Sequence, residues 1–168
     1  MVDQNDGGEL VSRIPTLDDL LFLCRKLNEA GARYVVIGGW AVIQHGFGRT
    51  TQDIDLLVDS SPDNFERIRT AMLALPDGAI REVKATDLDE FVVVRIADEV
   101  LVDLMKRACG VEYAEASKDV CLTEVRGVAI PFAKPKLLLR LKQTHREKDA
   151  EDRLFLQRLI YEQEKRQG

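Results

Sequence analysis

The sequence predicts an α/β or α+β fold, a mixed β-sheet with helices packed on it. Three observations carry this. Helix-type and strand-type runs follow the order αβαβα, then several strands, then two helices. The strand-type runs are short and rich in β-branched residues, as in Tyr34–Ile37 and Asp53–Val58. The chain has 168 residues, 45% hydrophobic and 32% charged, which fits one domain with its own core and no disulfide or metal staple.

Residues 1–13 read as a polar, mobile start before a single domain over 14–168. Thr16 with Asp19 three residues on forms a capping box, and Leu17, Leu20, Leu21, Cys24 and Leu27 recur at helical spacing until Gly31. Tyr34–Ile37 is a buried strand, broken by Gly38-Gly39. A short helix over 40–45 follows, with Trp40 in the core, and Gly46 and Gly48 end it. Asp53–Val58 is the second strand. Ser61-Pro62 opens a helix to about Leu75, where Pro at the first position has no amide to waste. Phe91–Ile96 and Val100–Met105 flank Asp98-Glu99 as a hairpin, and 120–125 pairs with 127–132 around Gly127. Pro135 starts a basic helix to about Gln143. The last helix spans about 146–163 with Ala150, Leu154, Leu156, Leu159 and Ile160 on its buried side. Strand order does not follow from these patterns.

Composition excludes several classes. The net charge of −5 rules out a basic nucleic-acid coat protein. Residues 134–168 carry 10 Lys and Arg against 6 Asp and Glu, a net +4, so residues 1–133 carry −9. A basic C-terminal segment beside an acidic site can face a polyanion, and a solvated helix face reads the same way. Cys24, Cys109 and Cys121 form no CxxC pair, so they read as reduced thiols of a cytoplasmic protein. The first residues have neither a basic n-region nor an apolar h-region, and no run approaches the length of a membrane span.

The chemistry concentrates in Asp53-Ile54-Asp55. Side chains alternate along a strand, so the two carboxylates share one face while Ile54 and Leu56 enter the core. Two like charges on one face need neutralising, and a divalent cation such as Mg2+ suits hard carboxylate oxygens. Taken alone, the pair reads rather as two solvated acids at a strand end, since an Asp-x-Asp is common. Asp103 lies in the otherwise apolar run Val100–Met105, where a carboxylate needs a partner. It either joins Asp53 and Asp55, completing a ligand set for two metals roughly 4 Å apart, or pairs with Arg95 across the hairpin. A calcium loop starting at Asp53 fails, because its sixth position is Val58 and its twelfth Asn64.

Around the acids lie candidate phosphate contacts. Gly38-Gly39 joins strand to helix, where backbone can approach a ligand and amides are free. Arg49 can bind phosphate or hold a carboxylate, and Thr51 can fix its loop. Lys136 and Arg140, four apart, share a helix face that can meet a triphosphate or simply face solvent. His45 reads as a structural hydrogen-bonder. There is no GxxxxGK[ST] and no GxGxxG, so P-loop and Rossmann readings are unsupported.

Gly38-Gly39-Trp40-Ala41-Val42-Ile43-Gln44-His45-Gly46 followed by Arg49-Thr50-Thr51-Gln52-Asp53-Ile54-Asp55 resembles the polymerase-beta-like nucleotidyltransferase superfamily. It is most similar to the minimal prokaryotic branch that includes abortive-infection-type toxin nucleotidyltransferases. Arg49, Thr51, Asp53 and Asp55 match the branch's Arg-x-Thr-x-Asp-x-Asp spacing, Asp103 fits the third acid, and Lys148-Asp149 with Asp152 look like its C-terminal helix. The wider superfamily often has Ser where Gly39 stands. The resemblance implies Mg2+-dependent transfer of a nucleoside monophosphate from an NTP, ATP foremost, to an acceptor hydroxyl with release of pyrophosphate. Asp53, Asp55 and Asp103 would hold two metals, and Gly38, Gly39, Arg49, Thr51, Lys136 and Arg140 would serve the nucleotide. The acceptor stays open between tRNA, protein and small molecule. The alternative is a non-catalytic regulatory member of a toxin–antitoxin pair, bound to a partner protein. A third reading is a hydrolase using the same acids.

Overall fold

A computed structural model describes residues 11–168. Of the segment expected to be mobile, residues 1–10 lie outside this range. Ser12 and Arg13 are tied down: Ser12 Oγ donates to the Asp98 carbonyl at 2.6 Å and the Arg13 amide to the Glu99 carbonyl at 2.9 Å.

Helix α1 (Leu17–Glu29) begins as the capping box requires. The Asp19 amide donates to Thr16 Oγ1 and the Thr16 amide to Asp19 Oδ2. The Arg13 guanidinium, 2.6 Å from Asp19, holds that carboxyl down to about 2. Thr16→Ala is expected to lower stability by about 1 kcal/mol, read as a melting temperature lower by about 2–4 °C.

Strand β1 (Tyr34–Ile37) is wholly buried and leads directly into α2 (Gly38–Gln44). Strand β2 (Asp53–Val58) and α3 (Pro62–Met72) follow, the latter capped by Ser61 with Pro62 in its first turn. A single 3-10 turn (Ala79–Glu82) and the short α4 (Asp87–Glu90) come next; neither shows apolar periodicity in the sequence. Strands β3 (Val94–Ala97) and β4 (Leu101–Met105) form the expected hairpin. The first of these was expected to begin at Phe91. It begins at Val94, whose partner is Leu104 of β4, and Phe91, Val92 and Val93 are left unpaired and exposed. A two-stranded ribbon, β5 (Arg107–Ala108) and β6 (Val111–Glu112), precedes α5 (Tyr113–Ala116). Strands β7 (Val120–Val125) and β8 (Val128–Ala133) meet at a tight Arg126-Gly127 turn. Helices α6 (Pro135–Leu141) and α7 (Glu147–Gln167) close the chain.

The six-stranded sheet has the order β3-β4-β2-β1-β8-β7 and is mixed: β2 with β4 and β1 with β8 run parallel, and the other pairs antiparallel. Helix α1 packs on α3 and β8, while α6 packs on α2 and α7. The core joins Leu20, Leu23 and Leu27 of α1, Phe65 and Ile68 of α3, and Ile54 and Leu56 of β2, all at most 1% exposed. Cys24 is buried, Cys121 partly so and Cys109 exposed, and all three are free thiols. Among the described residues no helix is long and apolar enough to cross a membrane.

One expectation is corrected. Helix α7 does not bury Ala150 and Leu154, which are exposed. Its buried residues are Asp149, Asp152 and Leu156, because two cations beneath the helix take the two acids. A face carrying buried carboxylates is invisible to a search for apolar periodicity.

Candidate active site

The ladder register builds the site. Ile37 of β1 pairs with Asp55 of β2, Asp55 with Asp103 of β4, and Asp103 with Arg95 of β3. These four residues form one rung across four strands, so their side chains leave the sheet on the same face. Asp53 stands two residues before Asp55 and joins them there. Asp53, Asp55 and Asp103 each offer a carboxylate oxygen within 4.8 Å of the others. Both sequence readings of Asp103 are therefore realised together: it joins the two acids of β2 and also pairs with Arg95. Arg95 Nε and Nη2 donate to Asp103 at 2.8 and 2.9 Å, and Nη2 also donates to Asp53 at 2.9 Å.

Asp55 receives none of these bonds. Burial, then the neighbouring charges of Asp53 and Asp103, push its carboxyl up from 3.8 to about 8, against the opposing pull of Lys142 and Lys148. Three clustered carboxylates share one bonded guanidinium, so a further cation beside Asp55 would relieve their repulsion. All the donors are hard oxygens, and the site has the charge and chemistry for a divalent cation of the Mg2+ type.

Glycine is required beside them. Gly38 has φ of +69°, and a Cβ there would run into the Asp55 carboxylate. A Cβ on Gly39 would stand 2.5 Å from Thr51 Oγ1 and 2.6 Å from Thr51 Cβ. Any side chain at this position would collide with Thr51, so Gly39 and Thr51 go together. Gly39→Ser is expected to distort the turn and lower the melting temperature, checked by thermal unfolding. Thr51 is buried, with its hydroxyl donating to the Asp53 carbonyl at 3.3 Å; it braces the start of β2.

The acids open into a cavity of about 620 Å³. Its lining includes the apolar side chains of Val92, Val93, Met105, Ala108 and Leu141. Gly38, Gly39, Arg49, Lys142, Thr144, Arg146 and Lys148 also line it. Arg95 and Arg107 also reach the lining, so six cations meet four carboxylates there.

Arg49 lines the cavity as a carboxylate holder. Its Nη2 donates to Asp152 at 2.9 Å, and Asp152, fully buried, also stands 2.9 Å from Lys142 Nζ. Lys142 lies 3.3 Å from Asp149, which accepts a short bond from Thr144 Oγ1. This chain of buried ion pairs fastens α7 and the loop before it to the segment leading into β2.

Lys136 and Arg140 are not brought to the cavity. Both are exposed, Lys136 3.0 Å from Glu164 and Arg140 2.5 Å from Glu115. Helix α6 ends at Leu141, and the C-terminal cations that reach the cavity, Lys142, Arg146 and Lys148, lie beyond that end. The sequence reading gave Lys142, Arg146 and Lys148 no nucleotide role, although three cations within 142–148 are a usable signal. His45 is structural, its Nε2 donating to the Ala133 carbonyl at 2.9 Å. Trp40 packs partly buried against the core.

Comparison with solved structures identifies the architecture as nucleotidyltransferase-like. An antigenic nucleotidyltransferase-like protein from Paracoccidioides brasiliensis matches over 87% of this chain and 77% of its own, with a TM-score of 0.54 at 18% identity. A Thermotoga maritima protein provisionally assigned as a nucleotidyltransferase matches over 90% of both chains, with a TM-score of 0.48 at 17% identity. At such identities the likeness is one of fold. No family model and no curated protein sequence matches the chain.

Proposed function

We propose that this protein is a Mg2+-dependent nucleotidyltransferase that moves a nucleoside monophosphate from an NTP to an acceptor hydroxyl and releases pyrophosphate. The observation that carries the reading is the convergence of Asp53, Asp55 and Asp103 from two adjacent strands at the floor of a cation-lined cavity. A volume of about 620 Å³ lies within the range of small-molecule sites, roughly 300–1,000 Å³.

Asp53 and Asp55 would hold two Mg2+ ions and Asp103 the catalytic one, supplying neutralisation of the triphosphate and activation of the acceptor hydroxyl. The remaining tasks fall to the chain's own groups. The first turn of α2 lines the cavity at Gly38 and Gly39, and the first amides of a helix have no partner within it. They are available to the outer phosphates, which can approach because neither glycine carries a side chain. Lys142, Arg146 and Lys148, which line the same cavity, offset phosphate charge. The apolar side chains of Val92, Val93 and Met105 in the lining offer the nucleoside a hydrophobic surface to cover. Positioning of this kind supplies much of the rate in phosphoryl transfer.

Titration calorimetry with ATP, CTP, GTP and UTP, with and without Mg2+, tests the reading. Wild type is expected to bind at least one NTP only with Mg2+ present, and Asp53→Asn/Asp55→Asn to lose that binding together with labelling of an acceptor by α-32P NTP. A folded wild type that binds no NTP under any of these conditions overturns it.

A further inference from the structure

Arg95 sits where a cofactor cation would be expected. Its guanidinium makes three hydrogen bonds of 2.8–2.9 Å to Asp103 and Asp53, two of the three clustered acids. Yet it is not locked in place. Its side chain is 52% exposed, its strand β3 is at the edge of the sheet, and it lines the cavity rather than the core. Asp103 and Asp53, by contrast, are 7% and 19% exposed, so the acids are fixed and the cation is the movable partner. A planar guanidinium grips a carboxylate or a phosphate through the same two-pronged geometry.

We propose that Arg95 is an exchangeable counter-cation: it clamps Asp53 and Asp103 while the acids lack metal, then yields them to Mg2+ and turns its guanidinium to the phosphates of the bound nucleotide. This rests on the metal-site reading of the three acids. The carboxylates thereby keep their arrangement between turnovers without mutual repulsion spreading strands β2 and β4. The guanidinium that competes with Mg2+ in the free protein becomes a phosphate ligand in the loaded one, so Mg2+ and nucleotide favour each other's binding.

The test uses Mg2+ alone as the first probe, by calorimetry on wild type, Arg95→Lys and Arg95→Gln. Lysine keeps the charge and loses the fork, which separates direct competition from long-range repulsion. The expected result is Mg2+ affinity tighter by several-fold in Arg95→Lys and by roughly tenfold in Arg95→Gln. In EDTA both variants are expected to melt below wild type, with Mg2+ closing the gap. At saturating Mg2+, ATP is expected to bind Arg95→Gln roughly tenfold more weakly than wild type. Mg2+ affinity that is unchanged or weaker in Arg95→Lys overturns the exchange and leaves Arg95 a hairpin clamp, with the metal-site reading intact. Unchanged ATP affinity in Arg95→Gln overturns the handover to phosphate. Failure of Mg2+ to bind all three proteins defeats the metal-site reading and this inference with it.

Discussion

Asn in place of Asp55 is expected to separate activity from stability. On the proposed reading, nucleotidyl transfer should fall by at least about 10³-fold, because the central of the three carboxylates that would hold metal is gone and the transition-state charge loses its preorganised counterpart. The metal-free protein should meanwhile become less sensitive to pH. Asp55 ordinarily titrates at 3.8 and is held at about 8 in the fold, through burial and the charges of Asp53 and Asp103. Below about pH 4 the group is protonated whether folded or not. Between about pH 4 and 8 the unfolded chain releases the proton and the folded chain retains it, so stability falls as pH rises through that window and levels off above it. Urea unfolding in EDTA at pH 5 and pH 8 is expected to show a smaller loss between the two pH values for Asp55→Asn than for wild type. An equal loss in both proteins would remove Asp55 as its source.

The second large effect is expected at Asp152. This carboxylate is fully buried and stands 2.9 Å from both Arg49 and Lys142, whose side chains are only 12% and 9% exposed. Asp152→Ala leaves two buried cations short of their partner. Breaking a buried ion pair from one side costs about 3–5 kcal/mol, and for a chain of this size that is a melting temperature lower by about 10 °C. Lys142 keeps Asp149 at 3.3 Å, so Arg49 is the more exposed to the loss. Replacing both Arg49 and Asp152 by apolar residues of similar size should recover much of the stability, since no charge is then stranded. Nucleotide binding should suffer in both proteins, because Lys142 and Arg49 would no longer be held in the cavity wall. Thermal unfolding combined with calorimetric NTP binding distinguishes the two consequences.

Local chemistry is legible where neighbours in the chain decide it. Thr16 and Asp19 cap α1 through bonds spanning three residues. Ser61-Pro62 starts α3 for reasons contained in those two side chains. The alternation that sets Asp53 and Asp55 on one face and buries Ile54 and Leu56 on the other follows from strand geometry alone. Lys136 and Arg140 show where this reasoning stops. Their shared helix face was legible, but whether that face turned to the cavity or to Glu164 and Glu115 depended on how α6 docks.

By itself, the sequence determined the class of fold, the order of its main helices and strands, and the presence of an acid pair behind a Gly-Gly turn. These depend on side-chain size, backbone freedom and periodicity, all short-range in the chain. Only the tertiary structure decided that β4 lies parallel beside β2. A parallel neighbour requires a long crossover, and nothing in the residues of either strand encodes its end point. That single adjacency brings Asp103 alongside Asp55, sets Arg95 on the next position of the same rung, and makes one site of residues 48 positions apart in the chain. The buried acids of α7 were decided the same way. Asp149 and Asp152 are tolerable in the interior only because Lys142 and Arg49, distant or beyond a helix end, arrive there to neutralise them.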